Sequence, residues 1–192
     1  MPGAGKTTIG EVLKGKGWEY FPEVATLAAS HGIVVGPDAN LFSEIYILDE
    51  EIRREERVKN LKKQGERIVL DNFHSLNLSY AKARNCRSGT FGYEIYLMHY
   101  QLAALTGKIL KPDLYVYLSI PVDISIRRQV ERNMPQIASL DSEFLHLVEK
   151  NLEDFHKLYE PDVPRIKLDA TIDPPKLIAL IEKEVSKVEK RK

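Results

Sequence analysis

The chain has 192 residues, enough for one domain with a buried core, and its 28 basic side chains balance 28 acidic ones. No global field therefore favours a nucleic-acid polymer or an anionic membrane, and no apolar run approaches the ~20 residues that cross a bilayer. A single cysteine, Cys86, excludes an intramolecular disulfide and a cysteine-built zinc site, so a soluble, cytoplasmic protein is expected.

In chain order, the first feature is Gly3-Ala4-Gly5-Lys6-Thr7-Thr8. It supplies the second half of the G-x-x-x-x-G-K-[ST] phosphate loop, whose first glycine would fall one residue before Met1. Small residues let backbone N–H groups curl around an anion, and a following helix aims its positive end at the same place. Lys6 would add charge at the β- and γ-phosphates of ATP, and the Thr7 hydroxyl is suited to Mg²⁺. The helix should run from Thr7 to about Lys16 with Ile9, Val12 and Leu13 inward. A parallel sheet of this class needs a strand feeding the loop. No residues here can form it, so a truncated reading frame with a missing central strand is the expectation.

Trp18 to Phe21 reads as a short strand stopped by Pro22, and from about Asn40 a long helix carries Leu41, Ile45, Leu48 and Ile52 at helical spacing. Its densely charged second half, Glu50 to Lys63, is expected to face solvent on most sides. Arg67 to Asp71 reads as a buried parallel strand ending in a carboxylate. A helix follows over about Tyr93 to Thr106, then the clearest strand, Asp113 to Ser119. Pro121 leads into a helix carrying Arg127, Arg128 and Arg132. A long amphipathic helix, about Asp141 to Tyr159, sets Phe144, Val148, Phe155 and Tyr159 on one stripe. Arg165 to Asp169 is a last strand, and a final helix after Pro174 turns Leu177, Ile181, Val185 and Val188 inward. Strands alternating with helices mean an α/β fold, a parallel sheet with helices on both faces. With no repeat or linker, residues 1–192 form one domain.

Four segments resemble the P-loop kinases of the thymidylate kinase and deoxynucleoside kinase group: the loop; Tyr20-Phe21-Pro22-Glu23; Asp71-Asn72-Phe73 with Leu78-Ser79-Tyr80; and Pro112 to Leu118 followed by Pro121 and the arginine-rich helix. The resemblance implies an ATP- and Mg²⁺-dependent phosphotransferase acting on a small molecule, most simply a nucleoside or nucleotide, and a helical homodimer as is common in that group. It places Glu23 at the acceptor hydroxyl, a lid over about 127–142 with Asn133 to Leu140 as its mobile part, and Asp169-Ala170-Thr171 over the adenine. Two departures stand out. Asn72 replaces an arginine that grips phosphoryl oxygens, and Thr26 stands where related kinases carry another. Their absence argues for an uncharged acceptor, a different metabolite, or a nucleotide-binding regulator without catalysis.

Each candidate has a plainer alternative. Glu23 would be a solvated loop residue, and Asp71 a helix N-cap rather than a ligand of Mg²⁺ or the acceptor. Arg127, Arg128 and Arg132 cannot all face the phosphates. Tyr80, Tyr93, Tyr96 and Tyr100 would either stack on an acceptor ring or pack the core, and His74, His99, His146 and His156 show no metal-ligand spacing.

Overall fold

The computed structural model describes residues 2–89, 92–132 and 139–190. Helix α1 (Lys6–Gly15) leads to β1 (Glu19–Phe21), α2 (Val24–Ser30) and a short 3-10 turn at Gly36–Asp38. Then come α3 (Leu41–Lys63), β2 (Ile68–Leu70), α4 (His74–Ser88), α5 (Gly92–Leu105) and β3 (Tyr115–Ser119). Helices α6 (Val122–Arg132) and α7 (Ser142–Tyr159), strand β4 (Arg165–Asp169) and helix α8 (Pro174–Glu189) complete the chain. The α/β class is as the alternation of strands and helices requires, and no helix among the described residues is long and apolar enough to cross a membrane.

The strands form two parallel pairs. β1 lies on β2 with Tyr20 opposite Val69, and β3 on β4 with Tyr117 opposite Lys167. Among the described residues no ladder joins the two pairs. Side chains nevertheless cross the divide. Val69 of β2 and Val116 of β3 pack in the same cluster as Ile9 and Leu13 of α1 and Leu177 and Ile181 of α8. The alternate residues, Leu70 and Tyr115, face the opposite side, where α3, α4, α5 and α7 supply Leu48, Leu78, Tyr96 and Phe155. Period-two alternation along the strands thus sets helices on both faces.

Helix α3 departs from expectation. Leu41 and Ile45 are largely exposed, while Glu51 and Glu55 are fully buried and Arg54 nearly so. The charged second half therefore buries one side, while Arg53, Glu56, Arg57, Asn60, Lys62 and Lys63 stay exposed. The buried side meets α4, a helix that the sequence pattern did not mark, because α4 mixes His74, Asn77 and Arg84 with Leu78, Ala81 and Ala83 at its buried positions. Val12 of α1 is likewise more exposed than its spacing suggested.

Candidate active site

The phosphate loop depends on two glycines. Gly3 and Gly5 hold φ of 68° and 84°, left-handed values that cost other residues strain. At Gly3 space matters as well, since a Cβ would lie 3.1 Å from the Ser125 carbonyl oxygen and 3.2 Å from Arg128 Cβ. At Gly5 a Cβ would meet nothing within 4 Å, so the open side of the loop is free for a ligand. Ala4 points the other way, into the core. Helix α1 starts with no side-chain cap and no acidic residue in its first turn, which leaves its N-terminal N–H groups directed at the loop.

Above the loop lies a cavity. Gly3, Gly5, Lys6 and Thr7 form its floor, Glu23 and Asn72 enter from the ends of β1 and β2, and Arg132 stands at its α6 side. Helices α3 and α4 close the far wall with Glu44, Ile47, Asn77, Tyr80 and Arg84. The ends of β1 and β2 thus deliver their carboxylates to the carboxyl edge of the strands, where ligands bind in open α/β folds.

Asp71 is buried beside the loop. Its Oδ2 accepts from the Thr7 hydroxyl at 2.9 Å and from Tyr20 at 3.3 Å, whereas Oδ1 has no partner. It is not a helix cap, because Phe73 holds the N-cap position of α4. An orphaned buried carboxylate oxygen beside a hydroxyl suits a hard cation that takes one or two protein oxygens and completes its shell with water and phosphate. The site therefore fits Mg²⁺. No group of three or more His, Cys, Asp or Glu side chains elsewhere among the described residues offers a metal site.

Glu23 accepts a short hydrogen bond from Asn72 Nδ2. Burial raises its pKa above the usual carboxylate range, and the Lys6 ammonium opposes that rise. Asn72 is the only non-glycine residue among those described with a left-handed backbone, φ 68°, and its carbonyl accepts from Arg54 Nη2 at 3.3 Å. Such a conformation costs of order 1–3 kcal/mol and persists only where the surroundings enforce it.

The three arginines of α6 divide their tasks. Arg127 is exposed and lies 4.0 Å from Glu131. Arg128 Nη1 donates to the Gly3 carbonyl at 3.1 Å and reaches the Ala170 carbonyl at 3.5 Å, so it braces the loop against the end of β4. Only Arg132 lines the cavity. Thr8 is exposed and, like Asp169, Ala170 and Thr171, does not contribute to the cavity wall. Asp169 instead accepts from the Thr171 N–H and hydroxyl, and Ala170 is core. Of the segment expected as a lid, residues 133–138 lie outside those described. Its two flanks are joined by Gln129, whose amide exchanges two hydrogen bonds with the Ser139 backbone.

Tyr80 lines the cavity, whereas Tyr96 and Tyr100 belong to the core, as do His74 and His156. Sequence reasoning missed Glu44, Asn77, Arg84 and Gln129. The available signal was charged and amide residues at helical spacing, opposed across two helices. Thr26 also lines the cavity, so that position faces the site even without an arginine.

No protein-family model matches the chain, and neither does any curated protein. Solved structures do. The chain is similar to deoxyadenosine kinase from M. mycoides solved with the products dCMP and a flexible dCDP, at a TM-score of 0.76. Structures of that enzyme with dCTP and with dATP give 0.69 and 0.71. Identity is 24% in each case, over 97% of this chain and 96% of the other. At that identity the likeness establishes a shared fold.

Proposed function

We propose that the chain is a P-loop kinase that moves the γ-phosphate of ATP to a hydroxyl of an uncharged small molecule, most simply a nucleoside. The observation that carries this reading is Glu23, a carboxylate of raised pKa in the same cavity as Lys6 and the phosphate loop. The loop N–H groups and Lys6 hold the triphosphate. Thr7 and Asp71 hold Mg²⁺, which supplies charge neutralisation on the phosphates when bound. Glu23 orients the acceptor hydroxyl and takes its proton as the oxygen bonds to the γ-phosphorus and ADP leaves. Arg132 faces the transferred group, Arg128 keeps the loop in place, and residues 127–142 act as the lid. Asp169-Ala170-Thr171 flanks the adenine. The amide of Asn72 offers no counter-charge for a phosphorylated acceptor, which favours the nucleoside over the nucleotide. The structural neighbours, a deoxyadenosine kinase with bound deoxynucleotides, support the same class. A homodimer is the expected assembly, since Met98, Leu102 and Leu105 leave one side of α5 apolar and exposed.

The test is ADP release with a panel of nucleosides, nucleoside monophosphates and unrelated metabolites. Lys6→Ala should abolish turnover, and Glu23→Gln should lower kcat by about 10²–10⁴-fold. Tight ATP binding without stimulation by any acceptor would instead assign the chain to nucleotide-dependent regulation. The Asn72–Glu23 hydrogen bond, which engages the base, favours that second reading.

A further inference from the structure

The inward stripe of α6 is polar. Ser125, Arg128, Gln129 and Arg132 recur at spacings of three and four, which sets them on one side of the helix. Ser125 and Gln129 are buried, and Gln129 and Arg132 line the cavity. Buried polar side chains are held by hydrogen bonds, and here the phosphate loop supplies the partners. Ser125 Oγ donates to the Pro2 carbonyl at 2.9 Å, next to the bond from Arg128 to the Gly3 carbonyl. Gln129 Nε2 donates to Ser125 Oγ at 3.3 Å, which directs the serine proton to Pro2, and to the Ser139 carbonyl at 3.0 Å. The Ser139 N–H donates back to Gln129 Oε1 at 2.7 Å. Both amide hydrogens of Gln129 are thus committed within the protein.

The consequence for the loop is directional. Peptide units are planar and, among the described residues, all trans. A carbonyl fixed toward α6 therefore turns the N–H of the following residue to the opposite side. Through the carbonyls of Pro2 and Gly3, Ser125 and Arg128 set the directions of the Gly3 and Ala4 N–H groups. The tight fit of Gly3 against the Ser125 backbone holds the loop on that face as well.

We propose that Ser125 and Gln129 are positioning residues for the triphosphate. Ser125 aims the N–H groups at the entry of the phosphate loop. Gln129 keeps the Ser125 hydroxyl turned to Pro2 and ties it to the backbone that leads into α7. Both act through the loop backbone rather than by contact with the nucleotide. The inference rests on the reading of the loop as the triphosphate site.

The experiment is calorimetry on the intact protein with Mg²⁺, well below its melting temperature, using ATP and inorganic triphosphate, which carries the phosphates alone. Ser125→Ala should raise both Kd values about fivefold to tenfold, together, because the loss lies at the phosphates. Gln129→Met, close in length and without donors, should raise them about threefold. In the Ser125→Ala background it should add nothing, since its effect passes through that hydroxyl. A merely structural role would lower the melting temperature and leave both Kd values unchanged, because the protein is folded under these conditions. Unchanged Kd values in Ser125→Ala overturn the inference, even if Gln129→Met fails to fold. A Gln129→Met loss that adds in full to that of Ser125→Ala also overturns it, by placing Gln129 on the nucleotide itself. If the unaltered protein binds neither ATP nor triphosphate, the loop reading falls and this inference with it. Binding without turnover on any acceptor removes the kinase reading alone, and the variants still decide the inference.

Discussion

Gly10 shows how closely α1 is set against β1. A Cβ built there would lie 2.2 Å from Cε2 of Tyr20, so alanine forces the ring to move. Tyr20 in turn reaches Asp71, and burial together with that carboxylate raises its phenol pKa to about 12. Two effects oppose each other. Alanine within a helix gains about 1 kcal/mol over glycine, while overpacking a closed contact costs about 1–3 kcal/mol. The contact is short enough for the second to win. Gly10→Ala should therefore lower stability by about 1–2 kcal/mol in urea titration. In a Tyr20→Ala background the same change should become stabilising, since only propensity remains. A destabilising effect in both backgrounds would mean that the ring contact is not the cause. Asn72 carries a different lesson at this scale. Its letter in the sequence reads as a missing arginine, which speaks to charge. Its left-handed backbone at the end of β2 is a demand on conformation that no neighbouring residue betrays.

Among the elements, those legible in the sequence have a regular apolar period or a strong boundary residue. The strand Tyr115–Ser119, the helix opening after the phosphate loop, and the helix starts near Asn40 and Asp141 belong to this group. Helix α4 does not, and neither does the inward face of α3. There the buried positions carry Glu51, Arg54, Glu55, His74, Asn77 and Arg84, with Arg54 and Asn77 both donating to Glu51. Each helix alone reads as solvated, and only their pairing explains the burial. Asn77 and Arg84 of this set also line the cavity's far wall, so that part of the site was the least visible. Asp141 links the two kinds of feature. It caps α7 by accepting from the Phe144 N–H at 2.9 Å, and Arg87 of α4 donates to its other oxygen at 2.6 Å. That arginine, followed by the cap itself, holds its pKa down at about 2. A depressed folded-state pKa contributes stability above the unfolded value near 3.8, which is lost as pH falls toward 2. Asp141→Asn should keep the cap and lose the charge. Its deficit in melting temperature relative to the unaltered protein should be present at pH 7 and shrink below about pH 4. A deficit independent of pH would exclude the Arg87 pair as its source.

For the whole molecule, two buried carboxylates join elements that are distant in the chain. Glu51 ties α3 to α4 and α5 through Asn77, His74 and Tyr96. Glu160, just past α7, accepts from Tyr100 of α5 at 2.9 Å and from Tyr115 of β3 at 2.6 Å, with His156 Nδ1 at 3.3 Å. In both, surrounding donors outweigh the burial that opposes ionisation, so their pKa values lie below the ordinary range. Glu23, Glu44 and Glu55 lie above it because burial prevails over their partners. The two sets have opposite signs in the linkage. The raised group penalises the fold when ionised, and that penalty is relieved as pH falls from neutrality toward the unfolded value, about 4.3. The lowered group stabilises the fold above that value, and its contribution is lost as pH drops further. Stability should therefore be greatest on the mildly acidic side of neutrality and fall steeply below about pH 4.3. Glu160→Gln keeps the shape and removes the charge that three donors share. It should cost about 1–3 kcal/mol at pH 7, the range for hydrogen bonds to a charged group. Because that glutamate no longer titrates, the acid limb of the variant should also be shallower. Urea titrations from pH 7 to pH 3 read both quantities. A variant as stable as the unaltered protein at pH 7, with an equally steep acid limb, would show that Glu160 does not hold β3, α5 and α7 together through its charge.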